Sequence, residues 1–216
     1  DKDDQKAKVK FVSVDDEGVE TPLDTKYNID DLAGKSGDKI PEEKVQARVD
    51  VLKSMGYDVV DNPFDQDPTF DTKKEIDQEF TIKVKPQVST AKPVYVVEGD
   101  KPSSEKLKDA VTTKGNEKTV DETKLPDTTD KVGDDTLTAP VTVTYGSGDN
   151  KREETVNVPI KVVEGYPQIV PVDPKEAPKA EDSINPDDYP AGSKFTYEKE
   201  PDTTTPGDKG VKVIVT

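Results

Sequence analysis

Lys8-Val9-Lys10-Phe11-Val12-Ser13-Val14 alternates polar and apolar side chains, the period-2 pattern of a strand with one face in a core and one in water. Asp15-Asp16-Glu17-Gly18 follows as a turn, its glycine free to take positive φ. Val19 to Tyr27 reads as a returning second strand, and Pro22, which has no amide proton to donate, places that strand at a sheet edge. Ala33-Gly34-Lys35-Ser36-Gly37-Asp38 reads as a loop leading into a helix. There Pro41 takes a first-turn position, Glu42 and Glu43 favour the positive end of the helix dipole, and Gly56 stands where the chain must leave. Val45, Val49 and Leu52 recur at i, i+4 and i+7, a single apolar stripe. Tyr57-Asp58-Val59-Val60 and Glu79-Phe80-Thr81-Ile82-Lys83-Val84 close the unit as short strands. Hairpin, helix and strands in this order give an α+β unit of the β-grasp (ubiquitin-like) kind, a helix laid across one face of a mixed sheet.

Composition restricts what such a chain does. With 216 residues and 18 prolines, two or three small domains are favoured over one large one. An apolar fraction of 30%, a charged fraction of 36% and a net charge of −16 lie close to the disordered range. What marks the chain as folded is therefore pattern, not composition. The acidity is even, with 22 acidic and 14 basic side chains in residues 1–90 against 25 and 17 thereafter. That leaves no basic face for nucleic acid and nothing to attract an anionic membrane surface. Cysteine and histidine are absent, which excludes disulfides, thiolate chemistry, Ser-His-Asp catalysis and the usual zinc sites. No run of 18 apolar residues is present to span a membrane. The start at Asp1-Lys2-Asp3-Asp4 and the stop directly after a strand read as a piece excised from a longer polypeptide.

The second half is built on a repeat. Pro-Asp-Thr-Thr occurs at residues 126–129 and again at 201–204. A glycine (Gly133, Gly207) and a strand-like run (Val141-Thr142-Val143-Thr144, Val213-Ile214-Val215-Thr216) follow each copy. Each is preceded by a Lys/Pro/Glu-rich stretch ending in a small-apolar pair, Ala110-Val111 or Ser183-Ile184. Such a repeat is one module used twice. Strands are expected at Val94–Val97, Val141–Tyr145 and Thr155–Val163, with a helical turn at Ser104–Val111 and a hairpin loop at residues 145–150. This is a small β-sandwich plan. The second copy lacks a counterpart of residues 145–163 and reads as truncated at its C-terminal strands.

Several ordered motifs carry a resemblance. Val9-Lys10-Phe11-Val12 with Asp15-Asp16-Glu17-Gly18, then Leu32-Ala33-Gly34-Lys35-Ser36-Gly37-Asp38, Gly56-Tyr57-Asp58-Val59-Val60, Phe70-Asp71 and Asp77-Gln78-Glu79-Phe80-Thr81-Ile82 resemble the β-grasp domain of bacterial mucus-binding repeats from lactobacilli, the Mub B2-like or MucBP group. Leu125-Pro126-Asp127-Thr128-Thr129 with Val141-Thr142-Val143-Thr144-Tyr145 is similar to Rib-type repeats of Gram-positive surface proteins. So is Tyr189-Pro190-Ala191-Gly192-Ser193-Lys194-Phe195 with Pro201-Asp202-Thr203-Thr204. The resemblance implies a multidomain, mostly β chain: a β-grasp domain over residues 1–90, an immunoglobulin-like Rib module over 91–165 and a second, truncated one over 166–216. It implies an extracellular, cell-wall-attached adhesin segment, monomeric and extended within a long repeat protein. The first module would bind host mucin glycans or immunoglobulin, with the Rib modules as stalk. A spacer that binds nothing and projects a distal adhesive domain is the alternative.

Candidate sites follow from the residues. If the strand from Leu23 is an edge, the backbone at Thr25, Lys26 and Tyr27 is open to a partner strand; the plainer reading is an edge blunted by Pro22, Asp24 and Lys26. Asp61, Asp65, Asp67 and Asp71 form a carboxylate-rich loop able to hold Ca²⁺ with backbone oxygens, though no EF-hand spacing is present and a solvated acidic loop serves equally well. Otherwise no cofactor is expected. Gly34-Lys35-Ser36-Gly37 lacks the phosphate-loop spacing, since Ile29 stands where the first glycine belongs. Carboxylates are too abundant to mark a glycosidase pair, and aromatics are too few for a sugar-stacking cleft, so no enzyme is expected. Tyr57, Phe64, Phe70, Phe80, Phe195 and Tyr197 are assigned mostly to cores, because small modules need large side chains inside.

Overall fold

The computed structural model describes residues 3–73, 75–168 and 177–216. Its N-terminal elements are β1 (Asp4–Val14), β2 (Glu20–Pro22), β3 (Ile29–Lys35), helix α1 (Glu43–Ser54), β4 (Tyr57–Asp61) and β5 (Gln78–Pro86). β1 runs parallel to β5, with Val9 opposite Phe80 and Phe11 opposite Ile82, and β4 lies antiparallel on the far side of β5. β2 and β3 share the other edge of β1, pairing with residues 12–14 and 4–9 respectively. The alternation of β1 sends Ala7, Val9 and Phe11 into the core, where Val45, Val49 and Leu52 of α1 join them. This is the β-grasp arrangement expected from the sequence. Gly56 leaves the helix at φ 79°, a conformation that costs glycine nothing. Pro41 lies two residues before the first helical residue, Glu43, and so outside the first turn where the sequence had put it.

The second strand departs from expectation. Only Glu20–Pro22 is strand, and Thr25–Tyr27 winds into a single 3₁₀ turn. The Asp24 carboxylate caps that turn by accepting the Lys26 amide at 2.9 Å, satisfying a donor the turn leaves open. Pairing resumes in β3, half of which the sequence reading took for a loop. Asp30 and Asp31 are both exposed between buried Ile29 and Leu32, and the register slips between Ala7 and Val9. An extra residue of this kind breaks the period of 2 and hides the strand. Gly34 lies against the Phe70 ring with no room for a Cβ, and the Gly37 amide donates to the Phe70 carbonyl at 2.8 Å. Gly34-Lys35-Ser36-Gly37 is therefore a strand end and turn held over an aromatic ring. Phe64 and Phe70 are buried, and Tyr57 and Phe80 pack partly buried against the same cluster.

The remaining elements are β6 (Thr90–Ala91), β7 (Val94–Val97), α2 (Ser104–Ala110), β8 (Val111–Thr112), β9 (Glu117–Thr119), β10 (Thr138–Ser147), β11 (Asn150–Val163), β12 (Phe195–Tyr197) and β13 (Val213–Val215). Contacts divide the chain into two units, residues 1–90, 112–119 and 142–156 in the first, and 91–111, 120–141 and 157–216 in the second. In the first unit, residues 142–144 of β10 pair antiparallel with β9, a strand the sequence reading missed. In the second, β7 runs parallel to residues 160–163 of β11, and β12 pairs antiparallel with β13. β11 starts at Asn150, earlier than expected, and its first five residues, 150–154, are all polar and carry no apolar alternation to mark a strand. Tyr189 stacks between Tyr95 and Phe195, with centroids at 4.8 and 5.6 Å, and Phe195 and Tyr197 are half-buried. Residues 169–176 of the Lys/Pro/Glu-rich stretch before Ser183, and Asp1 and Lys2 at the start, lie outside the described residues.

The repeated Pro-Asp-Thr-Thr has a local cause. Asp127 accepts the Thr129 amide and Asp202 the Thr204 amide, both at 2.9 Å, so each copy is a turn closed by its own aspartate. Thr128 is buried, accepting from the Gly99 amide at 2.9 Å and donating to the Asp100 carbonyl at 2.7 Å. Thr128→Val keeps the shape and removes both bonds; it should cost about 1–3 kcal/mol by urea denaturation, and a change within error would remove that role. Hydrogen bonds from the Thr204 hydroxyl and amide and the Thr205 hydroxyl pull Asp202 down to about 2. The sign follows: the folded pKa is depressed, so the stabilisation is complete above the unfolded value and is lost as pH falls through about 2. An NMR titration should place the Asp202 midpoint well below those of carboxylates without such donors, and an ordinary midpoint would contradict the turn.

Candidate functional site

Thr25, Lys26 and Tyr27 do not form the open edge the sequence suggested, because the 3₁₀ turn removes the extended backbone a partner strand needs. The Tyr27 ring is buried, and its hydroxyl points at the Met55 sulfur, 3.5 Å away. Arg48 donates to the Lys26 carbonyl at 2.9 Å, and the Lys26 ammonium reaches the Asp149 carbonyl at 3.1 Å. Thr25 and Lys26 stay exposed, and Tyr27 is the buried one of the three. The Tyr27 ring and the Lys26 backbone and ammonium are thus engaged by the chain's own residues.

The aspartate quartet is not brought together either. Asp61 stands on β4 opposite Lys83, and Asp65 lies in the 3₁₀ turn Pro63–Gln66. Asp67 pairs with Lys39 at 2.9 Å, and Asp71 accepts the Lys73 amide at 3.1 Å. Among the described residues no group of three or more carboxylates is placed to hold a metal ion.

The densest polar constellation in the first unit is one that sequence reasoning missed. The Arg152 guanidinium donates to three backbone carbonyls, those of Met55 at 3.1 Å, Gly56 at 3.3 Å and Gln87 at 3.1 Å. It also lies 4.2 Å from the Tyr145 ring centroid and 5.1 Å from that of Tyr57. Met55 and Gly56 follow directly on helix α1, so the cation sits at the negative end of its dipole and takes the Met55 carbonyl, sharing that of Gly56 with the Gln87 amide. Two residues on, Glu154 accepts the Ser89 amide at 2.9 Å, the Ser89 hydroxyl at 2.6 Å and the Tyr145 hydroxyl at 2.9 Å. The Ser89 hydroxyl also lies 2.7 Å from that of Thr113. Burial works to raise the Glu154 pKa, but the donors from Ser89 and Tyr145, with the Arg152 charge, outweigh it and hold the carboxyl below its ordinary range. Glu154 is therefore a charged acceptor at neutral pH. The signal available in the sequence was scarcity: Arg48 and Arg152 are the two arginines in a lysine-rich chain, and each donates to backbone carbonyls, Arg48 to one and Arg152 to three.

With the geometry in place, comparison with known families assigns the two ends. Residues 5–86 match the family model of the mucin binding domain, and residues 165–216 match that of the Rib domain. The chain carries a mucin-binding domain followed by a Rib domain. Both are families of adhesive and structural surface domains, typical of extracellular surface proteins. No curated protein matches the chain. No described helix is long and apolar enough to cross a membrane.

The water face of the mucin-binding domain's sheet is mixed in charge. Lys6, Lys8 and Lys10 project from β1, and Lys83 and Lys85 from β5 alternate with buried Ile82 and Val84. Lys8 pairs with Asp77 at 3.5 Å, Lys83 with Glu20 at 2.7 Å and Lys85 with Asp16 at 2.5 Å. This is a solvated face of interspersed charges, each exposed pair adding little stability.

Proposed function

We propose that this chain is a segment of a bacterial cell-surface adhesin whose mucin-binding domain holds host mucus glycoprotein while the Rib-type stretches, residues 91–165 and 166–216, act as stalk. The match of residues 5–86 to the mucin binding domain carries the reading, supported by an intact β-grasp core over the same residues. Affinity would come from repetition: single modules bind weakly, and many along one polymer bind strongly. On this reading the segment works outside the cell, attached to the wall, as a binding protein and not an enzyme. Mucin glycans are the primary partner and immunoglobulin the second. The test is binding of the intact chain to immobilised mucin and, separately, to pooled immunoglobulin. Saturable binding to mucin supports the reading. Binding to immunoglobulin alone would replace the partner, and silence on both would leave a spacer.

A further inference from the structure

We propose that the β10–β11 turn region, residues 145–154, is a docking element for the C-terminal end of the mucin-binding domain, with Arg152 as its pin. Residues 4–86 and 142–156 then fold and tumble as one body. The inference is independent of whether the domain binds mucin.

Three separate lines run from this short hairpin to residues far away in sequence. Arg152 closes the carbonyls at the end of α1 and the Gln87 carbonyl just beyond β5. Glu154 takes both the amide and the hydroxyl of Ser89, and the Asp149 carbonyl takes the Lys26 ammonium. Gly56 completes the fit: its missing Cβ leaves the space the Tyr145 ring occupies. Flexible linkers between domains are solvated and few contacts cross them. Here the segment after β5 is fixed at two consecutive odd positions, Gln87 and Ser89, by the same strand. The Gln87 amide is bonded at the same time to the Gly56 carbonyl at 2.8 Å.

The chemistry requires arginine. A planar fork can donate to three carbonyls while its face stacks on Tyr145 and Tyr57, and an ammonium cannot do both. The charge is also matched to its place, since a cation at a helix C-terminus is favoured by the dipole. Arg152→Lys should therefore behave like Arg152→Ala and not like the wild type.

The test uses the whole chain. Amide hydrogen exchange at Ser89 reads the bond to Glu154 directly, and residual dipolar couplings report whether residues 4–86 and 142–156 share one alignment tensor. In the wild type one tensor should fit both sets. Arg152→Ala and Arg152→Lys should each speed Ser89 exchange at least about tenfold and require two tensors. Lys151→Ala, on the exposed neighbour, should change neither. Two tensors in the wild type would overturn the proposal. So would a single tensor with unchanged Ser89 exchange in Arg152→Ala. If that variant does not fold, the wild-type couplings and Arg152→Lys still decide.

Discussion

Phe11→Ala should lower the unfolding free energy by about 3–5 kcal/mol, the range for deleting a fully buried phenylalanine. Phe11 is 1% exposed and stands on the one strand that pairs with β2, β3 and β5. Its ring lies opposite Ile82 on the core face, and its carbonyl accepts the Leu23 amide at 2.9 Å. The alanine removes the ring and leaves a void that the sheet cannot close, because β1 is held on both sides by backbone pairing. Urea denaturation followed by tyrosine fluorescence measures the loss. A shift below about 1 kcal/mol would mean that the core is not organised around β1.

Gly56→Ala should cost about 2–5 kcal/mol, more than its small size suggests. One part is backbone: Gly56 sits at φ 79°, where a Cβ costs about 1–2 kcal/mol. The other part is space, since a Cβ there would overlap the Tyr145 ring and crowd Arg152. Overpacking of this kind costs typically about 1–3 kcal/mol. Gly37→Ala separates the two contributions. Gly37 has φ 85° and open space around the added carbon, so it should show the backbone part alone. Equal losses at the two glycines would remove Tyr145 from the account.

The elements that followed simple rules were legible in the sequence. Lys8–Val14 alternates without interruption, and Val45, Val49 and Leu52 mark one face of a helix, so core and helix were read correctly. Reading failed where two local rules collided. Asp30 and Asp31 are consecutive exposed residues inside β3, and the Gly-Lys-Ser-Gly that follows has loop composition, so a strand was taken for a turn. Thr25–Tyr27 departs in the opposite sense: the returning strand from Val19 is expected to run on to Tyr27, while the Asp24 cap and the buried Tyr27 ring bend the chain. The joint around Arg152 was illegible for another reason. Its acceptors at Met55, Gly56 and Gln87 are backbone carbonyls, which carry no side-chain signature, and they lie 65 to 97 positions from Arg152 in the chain.

Adhesion is read by surface-plasmon binding of the intact chain to immobilised mucin, with enzymatically deglycosylated mucin as the second surface. A saturable response on mucin that falls when the glycans are removed is expected. An absence of response on mucin at the highest soluble concentration would contradict it and leave the segment as a spacer.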